Sequence, residues 1–88
     1  MREHKSAEEE LIFVIEGQPY PFKVGLDETL GVAIADVLEK TGHTGRPASD
    51  WIARNQAGDL LDPSKTVRQL ALVPGNRVFL SPGAGVGG

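Results

Sequence analysis

The chain has 88 residues, a net charge of −3 and no cysteine. A chain this short builds one thin hydrophobic core and has little room for a deep catalytic cleft. The missing cysteines exclude disulfides, thiolate metal sites and a cysteine nucleophile, and the acidic balance argues against a general nucleic-acid binder.

The first ten residues, "MREHKSAEEE", are highly charged and lack the apolar core of a signal peptide. No apolar run approaches the roughly 18–20 residues that span a bilayer. Residues 1–10 read as a flexible, acidic-leaning extension, and Glu8 to Glu10 as a solvated run. The expected setting is cytoplasmic, with neither membrane nor nucleic acid as a partner.

"LIFVI" (Leu11 to Ile15) is β-branched, aromatic and too short for a helix, so it reads as a strand. "EGQP" supplies a turn. "YPFKVGL" then alternates, with Tyr20, Phe22 and Val24 on one side, and Pro21 confines this second strand to a sheet edge. In "DETLGVAIADVLEKTG" the positions Leu30, Ala33, Ile34, Val37 and Leu38 share one helical face. Asp27 or Thr29 caps its start, Gly42 ends it, and Gly31 marks a close approach of the helix to the sheet.

"HTGRPASD" is a loop and "WIARN" a short strand, with Trp51 in the core and Ile52 outward. "QAGDLLDPSK" doubles back through Gly58 and Pro63; Asp59 and Asp62 are turn formers there. "TVRQLAL" suits a short helical turn with Val67, Leu70 and Leu72 inward, and "RVFLS" is the last strand. His4 and His43, in the extension and a loop, lack a third ligand and are expected in exposed structural or solvating roles. The first and last strands pair best in parallel, with the helix as crossover. The expected class is α+β: a mixed four- to five-stranded sheet packed on one helix, the β-grasp arrangement, over residues 11–81.

Residues 82–88 form a tail in which four of the last six residues are glycine, ending in Gly87 and Gly88. Glycine loses more backbone freedom on ordering than other residues, so such a tail stays mobile unless gripped. Extended from Ser81, it reaches on the order of 25 Å.

The segments "LIFVIEGQPYPFKV", "LDETLGVAIADVLEKTG" and "LLDPSKTVRQLALVPGNRVFL", followed by the terminal diglycine, resemble ubiquitin-like proteins. The pattern is most similar to the small bacterial members. That resemblance implies partnership with an activating enzyme, a conjugating enzyme, a JAB-type peptidase and target proteins. It implies no catalytic residue and no bound cofactor; ATP and Mg would be used by the activating enzyme. Gly88 would be the residue activated and joined to a target amine, with Gly87 giving access and conformation. Ile52 corresponds to the central isoleucine of the ubiquitin recognition patch. Ser81 stands where a valine would be, and Phe79 on the same face can replace apolar area. Lys5, Lys23, Lys40 and Lys65 are candidate acceptors for chains. The tail lacks the arginines that precede the diglycine in eukaryotic ubiquitin. An alternative within the same fold is a sulfur carrier whose Gly88 ends as a thiocarboxylate. A third is a binding module with an inert tail.

Overall fold

The computed structural model describes residues 7–83. Four strands, β1 (Glu8–Ile15), β2 (Gln18–Gly25), β3 (Trp51–Arg54) and β4 (Arg77–Pro82), form one sheet in the order β2-β1-β4-β3. Helix α1 (Leu30–Lys40) crosses one face, and a single 3₁₀ turn, Ala48–Asp50, leads into β3. β1 pairs in parallel with β4, and the other two pairings are antiparallel. This is the β-grasp arrangement.

The β1–β2 hairpin closes through Glu16 and Gly17, both with positive φ (52° and 83°). Two such residues make the tight turn whose twist matches that of the strands it joins. The turn sets Ile15 opposite Gln18, and the ladder then runs without a break to Glu8 opposite Gly25. β1 therefore begins at Glu8 and not at Leu11, and Glu8–Glu10 belong to a paired strand. A further bond from the Leu26 N–H to the Ala7 carbonyl (2.9 Å) continues the pairing beyond the ladder. Glu8 and Glu10 are exposed, as a solvated run should be, but Glu9 lies on the inward side and is half-buried.

Thr29 caps α1 by accepting from the Val32 N–H at 3.3 Å. Leu30, Ala33, Ile34, Val37 and Leu38 are buried, the face that periodicity indicates. The helix ends in a Schellman motif: the His43 N–H reaches the Leu38 carbonyl (2.8 Å), the Gly42 N–H reaches Glu39 (3.3 Å), and Gly42 has φ 82°. At the other end, the Leu30 and Gly31 N–H groups donate to the carbonyls of Lys65 and Pro63, both at 2.9 Å. Gly31 is thus a close-approach glycine, but what approaches is the Pro63 loop and not the sheet; an added Cβ would lie 3.2 Å from the Pro63 oxygen.

The core gathers Leu11, Phe13 and Ile15 of β1, Val78 and Leu80 of β4, Trp51 and Ala53 of β3 and the buried face of α1. Between β3 and β4 the chain holds itself by side-chain turns. Asn55 Oδ1 accepts from the Ala57 and Asp59 N–H groups. Thr66 and Gln69 exchange side-chain and backbone bonds, a capping box on the expected turn. Val67 and Leu72 are buried there, and Leu70 packs on the core from a half-buried position.

Candidate recognition face and tail base

Strand alternation decides which side chains leave the core. Because Leu11, Phe13 and Ile15 point inward, Ile12 and Val14 point to the open face of the sheet, where both are half-buried. The register sets Val14 opposite Phe79, and Phe79 opposite Arg54. Ile52 lies opposite Ser81, which makes Ile52 and Phe79 diagonal neighbours, a spacing of about 7–8 Å. Ile52 is half-buried and Phe79 is 39% exposed.

The open face therefore carries Ile12, Val14, Phe79 and Ile52, with exposed Pro19 and Pro21 flanking on β2. Ile52 and Phe79 do share this face. Ile12 and Val14 were missed by sequence reasoning, because all five residues of "LIFVI" are apolar and no polar alternation marks the outward pair. Exposed Lys23, Arg54 and Arg77 stand on the same face, with Glu10 opposite Lys23. The open face thus has an apolar centre with basic side chains, and Glu10 opposite one of them, at its rim.

The end of β4 is more firmly held than the composition of the tail suggests. The Gly83 N–H donates to the Asp50 carbonyl. A Cβ at Gly83 would meet that oxygen at 2.8 Å and lie 3.6 Å from Ile52 Cγ1. Gly83 is therefore fixed to the start of β3 beside the open face, and what remains beyond it is residues 84–88. From there the reach is roughly 17 Å. Gly87, Gly88, Lys5 and His4 lie outside the described residues. Lys23, Lys40 and Lys65 are exposed, on β2, at the end of α1 and in the turn after Pro63.

His43 is not a solvated loop residue. The Thr41 hydroxyl donates to the Val37 carbonyl (2.7 Å) and so accepts from the His43 Nδ1–H (2.7 Å). That leaves Nε2 facing Glu16 at 3.7 Å. The imidazole meets Tyr20 and Trp51 edge-on, with centroids 5.8 and 6.2 Å away. This aromatic stack ties the end of α1 to the hairpin turn, a structural role. The Trp51 indole N–H is buried without an acceptor among the described residues.

Among the described residues, two carboxyl groups depart from ordinary behaviour. Burial pushes Glu9 upward, with its Oε2 shut off from solvent and without a hydrogen-bond partner among the described residues. Hydrogen bonds from the Ser64 hydroxyl (2.7 Å) and N–H (2.9 Å) hold Asp62 below the usual carboxylate range. No helix among the described residues is long and apolar enough to cross a membrane.

Known proteins place the fold. A de novo design based on ubiquitin superposes with a TM-score of 0.75 at 22% identity, covering 92% of this chain and 95% of the design. Caldiarchaeum subterraneum ubiquitin gives 0.72 at 20% identity over 93% of this chain and all of that one. The N-terminal ubiquitin-like domain of the 4931431F19Rik protein gives 0.72 at 15% identity, covering 93% and 81%. In sequence, the chain is 34% identical over 79 residues to "Uncharacterized protein y4jI" of Sinorhizobium fredii (strain NBRC 101917 / NGR234), across 90% of this chain. It spans 61% of that relative's length. The family described as "Protein of Unknown function (DUF2604)" matches residues 4–88. The chain belongs to that family, and its body has the ubiquitin-like fold.

Proposed function

We propose that the protein is a modifier, joined through Gly88 to amines of target proteins. The observation that carries the reading is positional: a ubiquitin-like body fixes Gly83 against Asp50, beside the apolar open face, and the sequence continues from there to Gly87 and Gly88. An enzyme that grips Ile52 and Phe79 would have the start of the tail within the same footprint.

The chemistry asked of partners follows from the carboxylate. Its oxygen is a poor leaving group, so a partner enzyme would use ATP and Mg to form an acyl-adenylate, releasing pyrophosphate. A partner cysteine thiolate would then displace AMP to give a thioester, and a target lysine would displace the thiolate to leave an isopeptide bond. The chain itself supplies no catalytic group. Glycine at the last two positions lets the tail thread a narrow channel with enzyme backbone close on both sides. A JAB-type peptidase would hydrolyse the same bond, and would equally expose Gly88 from a longer precursor. Exposed Lys23, Lys40 and Lys65 offer amines for a second copy, as would Lys5.

The test is an intact-mass and denaturing-gel comparison of N-terminally tagged protein in its own host, with and without Gly87-Gly88. High-mass species that survive reductant and vanish in the deletion are expected. A free protein that instead exchanges oxygen for sulfur in its intact mass is a sulfur carrier, and full function without the diglycine marks a binding module.

A further inference from the structure

Where β3 ends, a side chain continues the ladder. The Gly83 N–H bond to Asp50 and the pairing of Arg54 with Phe79 set Gln56 level with Arg77 at the next hydrogen-bonded position. There the Arg77 N–H donates to Gln56 Oε1 at 2.9 Å, in place of a backbone carbonyl. Two neighbouring amides are used in the same manner. Asn55 Oδ1 accepts from the Ala57 and Asp59 N–H groups at 2.9 and 3.0 Å, and Asn76 Oδ1 accepts from the Val73 N–H at 3.0 Å. In all three a backbone donor fixes which end of the amide is oxygen, so the NH₂ is turned the other way. None of these NH₂ groups has an acceptor among the described residues.

Asn55, Gln56 and Asn76 line one hollow of about 280 Å³, together with Arg77, Leu70 and Leu72. Arg77 is exposed and has no ion pair among the described residues. No carboxylate of the described residues lines the hollow, and each amide oxygen there is already engaged by the backbone. Its polar side chains therefore offer N–H donors and one full positive charge. The ligand that suits such a wall accepts without donating and carries one negative charge, which describes a carboxylate. The volume is that of a side chain, just under the range of ordinary small-molecule sites. Buried Leu72 and half-buried Leu70 give methylene groups an apolar floor.

We propose that this hollow receives a glutamate side chain of a partner protein. The carboxylate sits between the Arg77 guanidinium and the NH₂ groups of Asn55, Gln56 and Asn76, and the methylenes lie on Leu70 and Leu72. Free glutamate suits the hollow less well, because its ammonium group would meet a wall of donors; within a polypeptide that charge is gone. A phosphate monoester brings a second negative charge, and the lining holds only one cation. The chain's own Gly88 is out of reach. From Arg77 to Gly83 the strand runs roughly 20 Å, and residues 84–88 extend roughly 17 Å. The site does not depend on Gly88 and stands or falls separately from conjugation.

The probe is the acetylated, amidated tripeptide Ala-Glu-Ala, titrated into the isotope-labelled full chain at about 150 mM salt. The side-chain NH₂ resonances of Asn55, Gln56 and Asn76 read the hollow directly. The expected result is a saturable shift of all three, half complete below about 10 mM. The tripeptide Ala-Gln-Ala has the same shape but sets an NH₂ against donors, and should bind at least about tenfold more weakly. Asn76→Asp keeps the oxygen that takes the Val73 N–H and exchanges only the NH₂ for a second oxygen. It and Arg77→Gln should each weaken binding about tenfold or more while leaving the fold's amide spectrum in place. Deletion of Gly87 and Gly88 should change nothing. The proposal is overturned by no saturable shift up to about 50 mM, well above the affinity at issue. It is equally overturned if Ala-Gln-Ala, free glutamate or inorganic phosphate binds as tightly as Ala-Glu-Ala, or if Asn76→Asp binds as well as the natural chain. Shifts of the three NH₂ pairs in the free chain when residues 84–88 are removed would show that a tail carboxylate fills the hollow, and would overturn it too.

Discussion

At one margin of the sheet β2 runs for eight residues and presents Pro19 and Pro21; at the other β3 runs for four and presents Trp51 and Ala53. The turn at Glu16–Gly17 makes Ile15 and Gln18 a hydrogen-bonded pair. Alternation from there puts Pro19 and Pro21 where their nitrogens face away from β1. The longer margin thus lacks donors at two positions where another strand would seek them, the usual defence of an exposed edge. The shorter margin is defended differently. Its Trp51 N–H donates to the Ala48 carbonyl and its Ala53 carbonyl accepts from the Leu61 N–H, so the 3₁₀ turn and the Asp59–Leu61 stretch cover it from both ends. A long edge is closed by removing groups, and a short edge is narrowed by using them.

The largest effect is expected at the pin that holds the short margin. Gly83→Ala drives a methyl group into the Asp50 carbonyl and breaks the Gly83 N–H bond. A loss of about 1–3 kcal/mol in urea-unfolding stability should follow, with amide exchange accelerated along β3 and unchanged along β2. Equal acceleration on both edges would mean that the margins are not independent.

The double substitution Pro19→Thr/Pro21→Thr restores both missing donors on the long margin. Stability should change by about 1 kcal/mol or less, because neither residue is buried. Sedimentation should nevertheless show self-association at about 100 µM that the natural chain lacks. A monomeric double variant would show that something other than the prolines closes this edge.

The smallest effect concerns charge at the start of β1, next to the long margin. Glu9 is pushed above its ordinary value of 4.5 by burial, so its ionised form weakens the fold. That penalty is fully present above the raised value and is relieved as pH falls through it. Glu9→Gln should therefore stabilise at pH 7 and make little difference at pH 3. Asp62, held below 3.8 by Ser64, has the opposite sign. Its contribution is present above the ordinary value and is lost as pH falls through the lowered one. Thermal melts of Glu9→Gln and Asp62→Asn across pH separate the two; matching profiles would contradict both assignments.

Much of the body was legible because its signals are local. The five apolar positions of α1, Thr29 before them and Gly42 after them specify a helix and its ends from nearest-neighbour chemistry alone. Pro21 and the alternation of Tyr20, Phe22 and Val24 specify an edge strand in the same way. The apolar pair Ile52 and Phe79 was readable on similarity, whereas Ile12 and Val14 were hidden within a run that looks uniformly buried.

What only the tertiary structure decided are contacts between residues far apart in the chain. The charged residues Glu8–Glu10 carry no strand signal, and they pair because the turn at Gly17 sets a register that β2 is long enough to extend. Gly31 reads as a close approach of the helix to the sheet, and only the fold shows that the Pro63 loop is what lies against it. Gly83 looks like the first glycine of a loose tail until Asp50 takes its N–H. Two apolar cavities between β3 and α1 share Ile34, Trp51 and Pro63, residues from three separate stretches of the chain that only the fold brings together. Propensity and pattern act over a turn or two of chain and fix which elements form. Which peptide groups remain unpaired is settled only when the elements have chosen their neighbours.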